Sequence, residues 1–149
     1  MSFFTRSLHK LPKVSKASSA NNLIFHSINK RSFHQSIANM GVHNLATATE
    51  FKSALTDNNI VVLDAFATWC GPCKAIAPRV AKFSEDYPAA HFVKIDVDEL
   101  PDVAQELGIR AMPTFLIFKG EEKIAEVVGA NPAALEQAIQ KALAGEEST

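Results

Sequence analysis

The sequence predicts an α/β fold, a central mixed β-sheet with helices on both faces, in a single domain. Three observations lead there. Residues Ile60–Phe66 are a continuous apolar run broken once, by Asp64. Continuous rather than alternating apolarity marks a strand covered on both faces, at the centre of a sheet with parallel pairing. Strand-like and helix-like segments then follow in the order β-α-β-α-β-α-β-β-α. The β-β step is a hairpin, which adds antiparallel pairing to a sheet otherwise built through helical crossovers.

Taken in order, residues 42–45 form a short apolar segment that suits an edge strand. Thr47 and Glu50 have the spacing of a capping box, and Phe51, Ala54 and Leu55 share one face of the helix it opens, over 48–57. Asp57-Asn58-Asn59 is a turn before the central strand. The next helix carries Cys73, Ile76, Ala77, Val80 and Phe83 at helical spacing. Pro78 lies inside it, where a missing N–H and a steric clash predict a kink, and Tyr87-Pro88 ends it. Residues 91–97 alternate as a strand, and 101–107 form a short helix stopped by Gly108. Residues 113–118 are an apolar strand; 119–122 turn the chain, and 123–128 pair back. In the last helix Asn131 is the cap, Pro132 fills the first position and Gly145 ends it. Leu135, Ala138, Ile139, Ala142 and Leu143 make its buried stripe.

Charge divides the chain. Residues 1–49 hold no Asp or Glu. The first forty residues carry six basic side chains (Arg6, Lys10, Lys13, Lys16, Lys30 and Arg31), eight serines and three of the five histidines. From Gly41 onward nine Lys/Arg face sixteen Asp/Glu, a net charge of −7 against +6 for the leader. A basic, Ser-rich, acid-free start has the composition of a mitochondrial transit peptide. Arg31-Ser32-Phe33-His34-Gln35-Ser36 resembles the two-step processing pattern, with a first cut after Ser32 and removal of an octapeptide, 33–40. Residues 1–40 are thus expected to be a disordered, cleaved presequence, 41–149 the folded domain, and the mitochondrial matrix the destination. The competing reading is a basic tail that binds anionic surfaces or nucleic acid. No run of about 18 apolar residues occurs, so no membrane span is expected.

The chemistry centres on Trp69-Cys70-Gly71-Pro72-Cys73-Lys74, which holds the only two cysteines. Strand, tight turn, C-x-x-C and helix in that order read as a dithiol redox site. Zinc binding is a weaker reading: two cysteines are half a site, and His43 and His91 stand isolated. Haem attachment needs His after the second Cys, where Lys74 stands. No G-x-G-x-x-G or phosphate loop is present, so no nucleotide cofactor is expected.

With Asp64 ahead of it in the strand, Met112-Pro113-Thr114 behind it, and Gly129 after Val128, this stretch resembles the thioredoxin family over essentially all of residues 42–145. The leader makes it look like a mitochondrial member. Asp96-Val97-Asp98-Glu99 and Gly129-Ala130-Asn131-Pro132 are similar to fungal ones. Ala65-Phe66 departs from the common Phe-Trp, and Met112 from the common Ile. The resemblance implies the thioredoxin fold and a monomeric protein-disulfide reductant in redox homeostasis and the oxidative-stress response. Thioredoxin reductase would recharge it, carrying the FAD and NADPH, and disulfide-containing proteins such as peroxiredoxins would be its clients. A redox-inactive scaffold or chaperone, or a metal-binding subunit on the same fold, is the alternative.

Cys70, at a helix N-terminus where unpaired N–H groups favour negative charge, is expected to be the nucleophile. Cys73, one turn on and less exposed, is the expected resolving thiol. Gly71 and Pro72 would tune the pair toward a strongly reducing potential. Burial should raise the pKa of Asp64; by family analogy it relays the proton of Cys73, and Lys94 on the neighbouring strand is its charge partner. Pro113 is expected to be cis and, with Met112, to pair with an extended substrate. Trp69 would be a partly exposed lid beside Cys70, and Gly129 would leave room for a partner's backbone. Phe51, Phe83, Phe92, Phe115 and Phe118 are expected in the core.

Overall fold

A computed structural model describes residues 41–145. The presequence assignment therefore falls outside the described residues. The elements run β1 (His43–Asn44), α1 (Ala48–Asp57), β2 (Ile60–Phe66), α2 (Gly71–Asp86), β3 (Ala90–Asp96), α3 (Pro101–Glu106), β4 (Thr114–Lys119), β5 (Glu122–Val128) and α4 (Pro132–Ala144). They form the thioredoxin fold: a five-stranded mixed sheet in the order β1-β3-β2-β4-β5. β1, β3 and β2 are parallel, and β4 and β5 join antiparallel.

The apolar run of β2 is explained by two cores on opposite sides of the sheet. Val61, Leu63 and Ala65 point to one face, with Phe51, Ala54 and Leu55 of α1 and Val103 of α3. Ile60 and Val62 point to the other, with Ile76, Val80 and Phe83 of α2 and Leu135, Ile139 and Ala142 of α4. All five phenylalanines expected inside are buried.

Several boundaries differ from expectation. β1 is only two residues long; Val42 packs toward the α2–α4 side and Leu45 toward the α1–α3 side. β3 begins one residue earlier, because Ala90 is fully buried and pairs with Ile60, and it stops at Asp96. Its inner residues are covered on both faces, so it does not alternate cleanly. β4 starts after Pro113, which has no N–H to give the ladder. β5 takes in Glu122, with a bulge at Ile117/Phe118 in its partner, and Gly120 makes the tight turn at φ +58. Helix α2 runs on through Pro78 as a single element.

Candidate active site

The chain reverses direction across the sheet at β2: α1 brings it in past β3, and α2 takes it back to β3. In open α/β sheets the carboxyl end of such a strand opens onto a crevice. Cys70 lies there, four residues beyond Phe66, and caps α2. Its backbone is extended (φ −75, ψ 109), and its Sγ accepts the Cys73 N–H at 3.2 Å. This is the bond that a Ser or Asp oxygen makes at an ordinary N-cap, so the sulfur occupies the position where a helix favours an anion. Pro72 has no N–H to offer, and the Lys74 N–H is already bonded to the Cys70 carbonyl at 3.3 Å. The Cys73 amide is therefore the donor aimed at the sulfur.

Cys70 and Cys73 are joined as a disulfide, Cα to Cα 5.3 Å. The expected difference in exposure between them is not seen: they are 4% and 5% accessible. Both pack with Ala67, Phe66, Val97 and Met112. The neighbours Trp69, Gly71 and Pro72 are exposed instead, so approach to the bond is along that rim.

Sheet register assembles the other wall. Thr114 pairs with Ala65 on one side and Val128 on the other, which sets Met112 and Pro113 beside the end of β2 and Gly129 beside Pro113. The Met112–Pro113 bond is cis. The Gly129 N–H donates to the Pro113 carbonyl at 2.7 Å. Gly129 has φ +90 with nothing within 4 Å of where a Cβ would be, so its backbone conformation is what requires glycine.

Behind the disulfide a cleft of about 400 Å³ is lined by Asp64, Phe66, Ala67, Thr68, Cys73, Lys74, Ala77 and Lys94. Asp64 and Lys94 are paired residues of β2 and β3. Asp64 is 6% accessible, and its Oδ1 has no hydrogen-bond partner among the described residues. Burial pushes its carboxyl up to about 6, against the opposing pull of the Lys94 charge. The Lys94 ammonium also lies 5.2 Å from the centre of the Phe66 ring. The cleft thus joins Asp64, Lys94 and Cys73.

Trp69 is 66% accessible, which rules out core packing, yet it is anchored. Its indole N–H donates to Asp98 Oδ2 at 2.8 Å, and the Asp98 N–H donates to Asp96 Oδ1 at 2.9 Å. Sequence reasoning gave neither aspartate a role. The available signal was an acid, Asp96, in a strand otherwise buried on both faces. Among the described residues no three His, Cys, Asp or Glu stand together as a metal site. Nor is any described helix long and apolar enough to cross a membrane.

A disulfide that caps a helix, a cis-proline loop beside it and a buried acid behind it define a dithiol–disulfide site on an α/β scaffold. The Thioredoxin family model matches residues 41–141. Thioredoxin-2 of Pyricularia oryzae is 58% identical over 109 residues, 73% of this chain and 64% of that relative; the chain therefore spans less than two thirds of it. Thioredoxin-1 of Saccharomyces cerevisiae is 61% identical over 93 residues, 62% of this chain and 90% of that one. Among solved structures, the oxidized form of mitochondrial thioredoxin 3 from S. cerevisiae superposes with a TM-score of 0.65 at 42% identity, covering 72% of this chain and 98% of that one. A second neighbour comes from work on thiol resolution in yeast mitochondrial 1-Cys peroxiredoxin via the glutathione and thioredoxin systems. Its TM-score is 0.65 at 43% identity, covering 69% of this chain and 97% of that one. The chain belongs to the thioredoxin family.

Proposed function

We propose that this protein is a dithiol carrier that reduces disulfides in other proteins. The observation that carries the reading is the Cys70 sulfur acting as the N-cap of α2, bonded by the Cys73 amide. In the reduced state that position stabilises a Cys70 thiolate, the form that attacks a disulfide. The thiolate displaces one client sulfur, which leaves as a thiolate, and a mixed disulfide forms. Cys73 then gives up its proton and attacks the Cys70 sulfur. The second client thiolate departs, and the Cys70–Cys73 bond described here is left. Two electrons have passed to the client.

Asp64 is the proton acceptor for Cys73 in this scheme, through the cleft both residues line. Its carboxyl titrates near neutrality, where it can both take and release a proton. Lys94 keeps that carboxyl from rising further. Gly71 and Pro72 shape the turn, and Trp69, Met112, Pro113 and Gly129 form the rim that receives the client.

A thioredoxin reductase supplied with NADPH would return the disulfide to dithiol. The structural neighbour from the peroxiredoxin work supports peroxiredoxins as clients. Mitochondrial residence is supported by the acid-free basic leader and by likeness to mitochondrial thioredoxin 3 of S. cerevisiae. The test is insulin-disulfide reduction with the purified chain, reductase and NADPH. Wild type is expected to precipitate insulin, Cys70→Ser to be inactive, and Cys73→Ser to stall as a mixed disulfide. An inactive wild type, or a Cys70→Ser variant as fast as wild type, would overturn the reading.

A further inference from the structure

The sheet edge away from β5 is held by its shortest element. β1 contributes two residues, His43 and Asn44, in register with Val93 and Lys94 of β3, and the Leu45 N–H donates to the Lys94 carbonyl at 2.9 Å. The two histidines that stand isolated in the sequence meet here. The His43 and His91 rings stack with centroids 5.0 Å apart and planes 23° from parallel. His43 Nε2 and His91 Nδ1 are both buried with no hydrogen-bond partner among the described residues.

Near-parallel stacked rings do not aim their in-plane lone pairs at one point, so the pair is poorly placed to chelate a metal. It is well placed to respond to protons. A neutral imidazole tolerates an unpartnered buried nitrogen at modest cost, whereas an imidazolium has an N–H donor on both nitrogens and a charge to hydrate. Two imidazoliums at this spacing would also repel. Among the described residues, no acid offsets them from the face they share. The residues that α1 turns inward are Phe51, Ala54 and Leu55, and α3 gives Val103. The ionisable groups of those helices (Glu50, Lys52 and Asp57 on α1; Asp102 and Glu106 on α3) are exposed. On the strands this face carries Val61, Leu63, Ala65, Val93 and Ile95. Lys94 points to the opposite face with Asp64.

We propose that the His43–His91 stack is a proton-operated latch: neutral, it seats β1 on the sheet; protonated, it releases β1 and uncovers the edge of β3. Burial first, then the His43 charge, hold the His91 imidazole below its ordinary value. The seated state therefore binds fewer protons than the released one. Its stability is fully present above the free-imidazole value of 6.5 and is lost as pH falls from there through the lowered value.

Amide hydrogen exchange on the full chain tests this. The Leu45 amide reports β1, and the Val97 amide, bonded to the Phe66 carbonyl at 2.9 Å, is the internal reference. Between about pH 7.5 and about pH 5 the protection of Leu45 relative to Val97 should fall about tenfold for each pKa unit by which the stack depresses an imidazole. His91→Phe keeps a ring in place and should remove the pH response; His43→Lys, permanently charged, should show low Leu45 protection at both pH values. The latch is overturned if wild type keeps the same ratio at both pH values, or if His91→Phe keeps the full drop. Should His91→Phe fail to fold, NMR titration of the wild-type imidazoles decides. A His91 midpoint below 6.5 supports the latch, and a His91 midpoint at or above 6.5 overturns it.

Discussion

Asp64 is the residue whose environment differs most from what its chemistry prefers. A carboxylate inside an apolar strand, with one oxygen unpartnered among the described residues, is desolvated against the offsetting charge of Lys94. Because its folded pKa is near 6 against 3.8 when exposed, the folded protein holds a proton that the unfolded chain releases. Stability should thus be highest below pH 3.8 on this account and decline as pH rises toward about 6. Asp64→Asn is expected to flatten that decline and to raise stability at pH 8 by up to about 3 kcal/mol. Urea unfolding at pH 5 and at pH 8 measures it. The same variant should slow the resolving step, seen as longer-lived mixed disulfide in rapid-quench trapping. Asp98→Ala should free the Trp69 ring and raise the KM for a protein client a few-fold while leaving the disulfide potential unchanged. At this scale the sequence was legible where a residue type is rare for its setting: two cysteines, an acid in an apolar run, a proline after Met112. The Trp69–Asp98–Asp96 chain and the His43–His91 stack were not legible. Each depends on which residues of distant segments fall opposite one another, and that is decided by packing.

Helices here are started by side chains, and the three long ones share one device. Thr47 Oγ1 accepts the Glu50 N–H at 3.1 Å, Asn131 Oδ1 accepts the Ala134 N–H at 3.1 Å, and Cys70 Sγ does the same for α2. At α1 the Glu50 carboxylate reaches the Ala46 N–H at 2.7 Å, one residue beyond the usual capping-box donor. Asn131→Ala is expected to cost about 1 kcal/mol by thermal or denaturant unfolding and to leave insulin reduction unchanged. Gly129→Ala should cost about 1–2 kcal/mol, since φ +90 strains any side-chain-bearing residue even in open space. Element types were readable because periodicity and caps are local. Ends were less so: Ala90 joins β3, and β1 shrinks to two residues, through pairings with segments far along the chain.

For the molecule as a whole, the two cores on either side of the sheet carry the stability, and the charge carries the encounter. Ile139 is fully buried on the α2–α4 side, so Ile139→Ala should cost about 2–5 kcal/mol in denaturant unfolding. The net charge of −7 on residues 41–149 should draw basic clients. Their second-order reduction rate should therefore fall as salt is added, and that of acidic clients should rise.

The bond from Gly129 to the Pro113 carbonyl has a consequence for recognition. Proline has no amide hydrogen, and this contact takes one of the two acceptor positions of its oxygen, so Pro113 can offer an incoming main chain one acceptor and no donor. Under the proposed function, most of the main-chain pairing with a client would fall to Met112, a single residue's worth of backbone. A hold that slight scarcely interrogates what it touches. Such a hold would suit the proposed role, a courier that visits many different proteins and quits each one as soon as the electrons are delivered.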